Sequence, residues 1–568
     1  MVGTRPGTGT VGRVTSAFQV ASDYVDEACS LDPVLCTQLG IPGSDGEWGD
    51  SFGPAGLAAS LALDERYRSL VEPSLDDPDH RERLVARVML ASFDEAKSAF
   101  DAGDHLRDLR HMASPLHQIR LVFDVMAVDT PRGRADVARR LETVGVPLGD
   151  YRRLLEMGLE RGEVVASRQV RSVIGQLRFM SRDPASLDAV VARVTAAGGD
   201  NEETTLAAEG ARAAFGELAD WLEARYLPHA VNDDGVGREV YERSADRLVG
   251  MPVDPDEAYD WGWDEFGRLL ADMGQLAGSI VPGAGWEAAK EYLETDPAVT
   301  VEGTKALLEF ASATLDEAVA DLAGSHFEVP DVIRPLTVQL APPGSPLGVY
   351  YRRPSEDFSR PGGVWYSIGD QQIFPLYQHV STAYHEGFPG HHLQIATAMY
   401  RREEISRFQR LLTWCPGYGE GWGMYAEVLM GELGYLEDPR HRFGMLAKQM
   451  YRTARILVDV GLHLGLSVDD RSPIAPGWKW DFDIAVEFMR VYGFRTPAQA
   501  NDEVLRYLGW PGQAIAYKLG ERELLDIRSD TRRRLGDRFD LREFHATVLN
   551  HGTMRLDLLR QLLATVLG

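Results

Sequence analysis

The sequence predicts a mainly α fold with one small antiparallel sheet set late in the chain. Two textures carry that prediction. Apolar residues recur at helical spacing through most of the first 330 positions. Three short runs rich in β-branched and aromatic residues then follow between about 329 and 370. With 44% hydrophobic and 26% charged residues, the chain has the composition of a globular protein. Its 568 residues leave room for two to four units at roughly 100–200 residues each.

The first dozen residues are rich in Gly and Thr and are expected to fray. They lack the apolar core of a signal peptide. Segment 79–102 sets Leu84, Val85, Val88, Leu90, Phe93 and Phe100 among Arg, Glu and Asp, which is one apolar face of a helix. The same period runs through 134–157, 163–179, 187–197, 202–225, 255–276 and 304–322. Ala196-Ala-Gly-Gly-Asp-Asn and Asn232-Asp-Asp-Gly punctuate these helices. Segments 337–341, 348–353 and 363–368 read as the three strands, separated by Pro342-Pro-Gly-Ser-Pro and Arg360-Pro-Gly. Helical texture then returns to the end. A boundary near residue 330 divides a helical scaffold (1–330) from a mixed part (331–568), with one continuous fold as the alternative.

The chain carries 59 Lys and Arg against 86 Asp and Glu, a net charge of −27. Such a surface repels phosphate backbones and anionic bilayers, which argues against nucleic-acid and membrane partners. No run approaches the ~18 apolar residues of a membrane span. Cys29, Cys36 and Cys415 are too few and too scattered for a disulfide framework or a thiolate zinc site, and they suit the cytoplasm. The sequence leaves the oligomeric state open.

Four of the 14 histidines fall between His379 and His392, in Ser381-Thr-Ala-Tyr-His385-Glu386-Gly-Phe-Pro-Gly-His391-His392. A His-Glu pair followed by another His resembles a zinc-hydrolase helix, in which two imidazoles bind the ion and the Glu acts as general base on its water. The usual second His lies at i+4. Here it lies at i+6 (His391) or i+7 (His392). On a straight helix i+7 is about 10 Å along the axis, too far for one ion with bonds near 2 Å. Pro389-Gly390 offers a break that brings a ligand back. The spacing favours His391, with His392 as a supporting or substrate-side group or as the alternative ligand. Packed core histidines are the competing reading.

A catalytic zinc site commonly adds one Glu to two His. Gly417-Tyr-Gly-Glu420-Gly-Trp-Gly-Met-Tyr-Ala-Glu427 supplies two carboxylates seven residues apart on one helical face. We read Glu420 as the ligand and Glu427 as support to a histidine; two solvated carboxylates are the alternative. Gly421 and Gly423 leave room for another helix.

Together these motifs resemble the bacterial family called domain of unknown function 885. Further matching segments are Ala454-Arg-Ile-Leu-Val-Asp-Val-Gly-Leu-His463, Trp510-Pro-Gly-Gln-Ala-Ile-Ala-Tyr-Lys-Leu-Gly520 and Phe544-His545. The likeness is strong over about 350–555. It extends faintly to Leu31-Asp-Pro-Val and Thr37-Gln-Leu-Gly. The family is similar to gluzincin metallopeptidases with large helical, channelled folds. The resemblance therefore implies one Zn2+ per chain held by His385, His391 and Glu420, with Glu386 as general base and later proton donor. Its implied substrates are short peptides or small amides, reached through a deep channel walled by the helical N-terminal part. An amide or ester hydrolase of a specialised metabolite and a non-catalytic metal-binding scaffold are the alternatives. The loop 469–480 is longer than the family pattern.

Segment 439–466 carries Arg452, Arg455, Asp459 and His463 as one polar stripe on an apolar helix. Buried charges need partners, so the stripe is either an Arg455–Asp459 ion pair or a support to the metal and substrate. Tyr517, on a helix read from Pro511, is a candidate donor to a developing oxyanion; the alternative is a core tyrosine. His545 and His551 read as packing residues as readily as functional ones. The strand 363–368, with Arg352 and Arg353 nearby, offers an edge for an extended peptide.

Overall fold

The computed structural model describes residues 15–43, 45–341, 348–355 and 357–567. The expected fraying of the first dozen residues and the connection at 342–346 lie outside the described residues. Helices form where the apolar period runs: His80–Asp101, Ser167–Arg182, Ala185–Ala196, Asn201–Trp221, Pro255–Ile280 and Thr304–Leu322. Segment 134–157 departs from its prediction as one helix. It is two helices, Pro131–Thr143 and Gly145–Arg161. Pro147 has no N–H to offer the Thr143 carbonyl, so the ladder breaks there. Helix starts are capped as their sequences allow. Asp254 accepts from the Asp256 and Glu257 amides, and Asp438 accepts from that of Arg440. Helix Pro439–Leu464 ends on Gly465 in the left-handed region, φ 63°.

The three expected strands are β2 (Leu336–Leu340), β3 (Gly348–Arg352) and β4 (Gly362–Ser367); β1 (Thr300–Glu302) and β5 (Ile373–Pro375) form a separate antiparallel pair. The sheet order is β2-β4-β3. β4 runs antiparallel to β3, as expected, and parallel to β2. The cause is topological: β4 inserts between two strands that already run in opposite directions. The strand read as an exposed edge is therefore the central one. Val364 and Tyr366 of β4 are buried in the core.

One apolar core runs through both sides of residue 330, from Ala17 on the first helix to Leu563 on the last. A second cluster, Val34 to Tyr226, is assembled from the N-terminal helices. No helix among the described residues is long and apolar enough to cross a membrane.

Helices Pro416–Glu432 and Ala516–Leu535 touch backbone to backbone. A Cβ on Gly520 would stand 2.0 Å from the Gly417 carbonyl oxygen, and one on Gly421 would stand 2.8 Å from the Gly520 Cα. Overpacking of this kind costs about 1–3 kcal/mol or more. Gly520→Ala is thus expected to lower the thermal midpoint clearly. Gly431→Ala on the same helix, whose nearest neighbour is 3.6 Å away, is expected to leave it unchanged or raise it, since Ala is the better helix former. Thermal melts of the two variants make the comparison.

Candidate metal centre

Helix Tyr377–Glu386 carries His385 and Glu386 in its last turn. It packs against helices Thr304–Leu322, Pro416–Glu432 and Pro439–Leu464. The helical path stops at Gly387 (φ −97°, ψ −121°), the Phe388–Pro389 peptide is cis, and helix His391–Tyr400 starts after Gly390 (φ −76°, ψ −127°). Two backbone bonds tie this joint. The Gly390 amide donates to the Tyr384 carbonyl and the His392 amide to that of Gly387, each at 3.0 Å. A Cβ on Gly390 would lie 1.9 Å from the His385 carbonyl oxygen. Only glycine permits so tight a return. The Trp422 indole N–H donates to the Pro389 carbonyl at 2.9 Å, fastening the joint to the Glu420 helix.

The break between the two histidines has the consequence their spacing demands. The rings of His385 and His391 are 4.9 Å apart at 84°. Glu420 Oε2 lies 3.4 Å from His385 Nε2 and 3.5 Å from His391 Nε2. The three donor groups all lie within 4.8 Å of one another. Bonds near 2.0–2.1 Å at tetrahedral angles set neighbouring donors about 3.4 Å apart, so this triad has the spacing and the donor types of a His2Glu zinc site. His385 Nδ1 donates to Glu427 Oε1 at 2.8 Å, which turns Nε2 and its lone pair toward the triad. Ser381 donates to the other oxygen of Glu427. Gly423 makes room: a Cβ there would stand 2.6 Å from the His385 ring.

His392 points elsewhere. Its Nδ1 is 3.1 Å from the Tyr351 hydroxyl and its Nε2 2.6 Å from the Ile333 carbonyl. Both nitrogens are used, so the ligand geometry belongs to His391. The His391 Nδ1 is buried without a hydrogen-bond partner. Only one of the two imidazoles is steered by a carboxylate.

Electrostatics separate the carboxylates. Burial raises the Glu386 carboxyl, and the nearby His391 and His385 oppose the rise without cancelling it. Burial acts the same way on Glu420, but hydrogen bonds from His385 and His391 hold it far below the ordinary range. Burial works against a charged His385, yet Glu420 and Glu427 raise it to about 9. Tyr517 is pushed up to about 12 by burial and by Glu420, which keeps its hydroxyl protonated beside the triad. Its helix begins at Ala516 rather than at Pro511, so Tyr517 sits in the first turn.

The polar stripe divides. Arg455 pairs with Glu503 at 3.3 Å, donates to the Tyr507 hydroxyl at 3.1 Å and also bonds the Tyr451 hydroxyl. The expected Arg455–Asp459 pair is absent. Asp459 Oδ2 instead accepts from the Tyr241 hydroxyl at 2.8 Å and the Gly512 amide at 2.9 Å. His463 bonds the Tyr507 carbonyl at 3.0 Å and lies 3.6 Å from Asp459. Seven to eleven residues beyond Arg452, the helical rise of 1.5 Å per residue carries both away from the triad, so neither is a support to it. The loop 469–480 folds onto that far end, where Trp480 fills the space above Gly461 and donates to the Tyr259 hydroxyl at 2.8 Å. His545 bonds the Tyr425 hydroxyl at 2.8 Å and stacks on Phe327, and His551 bonds the Thr547 carbonyl. Both are packing residues.

Sequence reasoning passed over Ser381, Lys448 and Trp414. Ser381 and Lys448 each stand one turn from a residue it singled out, His385 and Arg452, which was signal enough. Trp414, half-exposed, sits 6.4 Å from the His391 ring. It borders two cavities of about 440 and 250 Å³. Nothing local in the sequence marks it.

A family model, "Bacterial protein of unknown function (DUF885)", matches residues 33–563. No curated protein matches the chain. Two solved structures share the fold. A candidate lipoprotein of Colwellia psychrerythraea is 22% identical, with a TM-score of 0.82 over 98% of this chain and 99% of its own. A candidate lipoprotein of unknown function from Shewanella oneidensis is 16% identical, with a TM-score of 0.74 over 97% and 100%.

Two outcomes test the site. With His385 at about 9 in the metal-free protein, the imidazole is protonated at neutral pH and must lose its proton to bind a metal. Zinc titration at pH 7 is expected to release about one proton, read by calorimetry in buffers of different ionisation enthalpy; His385→Ala and Glu420→Ala should abolish tight binding. Separately, burial raises Asp459 from 3.8 to about 7 in the folded state. A raised folded value means the contribution is complete below about 3.8 and is lost as pH climbs through about 7. Asp459→Asn is therefore expected to gain thermal stability relative to wild type as pH goes from about 4 to about 8, measured by melts across that range.

Proposed function

The chain belongs to the DUF885 family of bacterial proteins of unknown function, and we propose that it is a zinc-dependent hydrolase of metallopeptidase type. The observation that carries this reading is the triad's geometry: two imidazoles meeting one carboxylate at 3.4 and 3.5 Å, with Glu386 next to His385 in sequence. The fold likeness adds no activity to this argument.

His385, His391 and Glu420 would hold the ion. When bound, zinc supplies Lewis acidity, acidifying water and polarising a carbonyl. The remaining work falls to the chain. Glu386 is the only carboxylate of the cluster without a hydrogen-bond donor or ion-pair partner among the described residues, and its raised affinity for protons suits a group that takes one from water and returns it to a leaving amine. Glu427 and Ser381 fix the His385 ring in one tautomer. Tyr517 keeps its proton at neutral pH and can donate a hydrogen bond to an oxygen gaining charge. The substrates proposed are short peptides or small amides, approached along the N-terminal helices. The proposed location is the cytoplasm, in line with three buried, unpaired cysteines.

Glu386→Gln is expected to lower kcat by about 10²–10⁴-fold on any peptide turned over, while zinc content stays near one per chain. A dipeptide and tripeptide library, assayed with and without chelator, provides the measurement. Undiminished turnover in the variant, or turnover that survives complete zinc removal, would refute the mechanism.

A further inference from the structure

Helix Pro439–Leu464 brings Lys448 and Arg452 to one face, a turn apart. Arg495, from the segment after helix Phe482–Val491, stands with its guanidinium 3.8 Å above the Tyr451 ring; Arg452 is 5.1 Å from the same ring. None of the three cations has a hydrogen-bonded or ion-paired acceptor among the described residues. Two Arg452 nitrogens, Nε and Nη1, are fully buried and unpartnered. Glu503, on which Arg495 acts, is already taken by Arg455, Arg506 and Tyr507, and Glu386 and Glu427 act on Lys448 without a hydrogen bond to it.

Enclosed cations without an acceptor are costly. Tyrosine faces offset only part of that cost. In a chain with a net charge of −27, acids to pair them are abundant, yet among the described residues none is bonded to them. All three residues keep some accessible surface, so they line a recess that solvent reaches. Burial, with Arg452 and Arg495 alongside, pushes Lys448 down to about 7, the behaviour of a cation held among cations.

The recess borders the triad. Arg452 acts electrostatically on Glu386 and Glu427, and its guanidinium is 5.9 Å from the ring of Tyr517, whose hydroxyl feels Glu420. We propose that Lys448, Arg452 and Arg495 form the subsite for a free carboxylate of the substrate, adjacent to the bond that the triad addresses. This rests on the hydrolase reading for the identity of that bond. The ligand class is the α-carboxylate of a short peptide or of an N-acyl amino acid, which present the same group. A monoanion fits because Glu386 and Glu420 border the same space and would repel a phosphate dianion. Arg452, with its fork unused, makes the principal contact. The role of carboxylate receiver thus passes from Arg455, whose Nε and Nη2 are held by Tyr507, Tyr451 and Glu503, to Arg452 one turn earlier.

The test uses full-length Glu386→Gln protein loaded with zinc, so that binding is read without turnover. Calorimetry is run with dipeptides and with N-acetyl amino acids, each as free acid and as C-terminal amide. The free acids are expected to bind about 10–100-fold more tightly than their amides. Adding Arg452→Gln should erase that difference, and Arg495→Gln should reduce it, with melts confirming that both variants fold. The dipeptide and acyl arms report which source is preferred. Equal binding of acids and amides, no binding of either, or a difference that survives Arg452→Gln overturns the proposal. The two readings fail separately. If acids are preferred but zinc-loaded wild type cleaves none of them, the hydrolase reading falls and the subsite stands. If wild type cleaves acids and amides equally well, the reverse holds.

Discussion

For one ion with bonds about 2 Å long to be held as proposed, imidazoles six residues apart must meet, and a continuous helix cannot bring them together. The rest of the centre follows from that constraint. Gly387 and Gly390 take backbone angles that end one helix and start the next, and Gly390 passes within 1.9 Å (Cβ to oxygen) of the carbonyl it must clear. Trp422 holds the joint to the helix that delivers Glu420. Gly423 gives up its side chain to the His385 ring.

Environment then gives similar side chains different tasks. Glu386, Glu420 and Glu427 are three glutamates in one small volume. Histidine contacts keep Glu420 and Glu427 ionised against the effect of burial. Glu386 lacks such contacts and is shifted the other way. Pushing acid groups apart in proton affinity is how a single site can hold a metal and move a proton at neutral pH. The arginines divide in the same manner. Arg455 and Arg506 share Glu503, while Arg452 has two buried nitrogens without a partner and no bonded acid.

Much of this was legible in the sequence because local spacing encodes it. The helical period located most helices, and the His-Glu-x-x-Pro-Gly-His run carried both the donors and the break they need. What escaped was set by distance in sequence. Which histidine nitrogen faces the triad depends on Tyr351 and Ile333, which occupy His392. The partner of Arg455 is Glu503, some 48 residues on, rather than Asp459 one turn away. The parallel pairing of β2 with β4 depends on where a third strand inserts. A stripe on a helix shows that charges are buried together; it does not show that they pair with each other.

The two apolar cores also order events in time. The cluster from Val34 to Tyr226 has all its members once the first 226 residues exist. The core that carries the triad joins Ala17 to Leu563, so it cannot close before nearly the whole chain has been made. Domains form as their residues emerge from the ribosome. A nascent chain therefore has the members of a helical lobe hundreds of residues before it has all the members of the core that carries the triad.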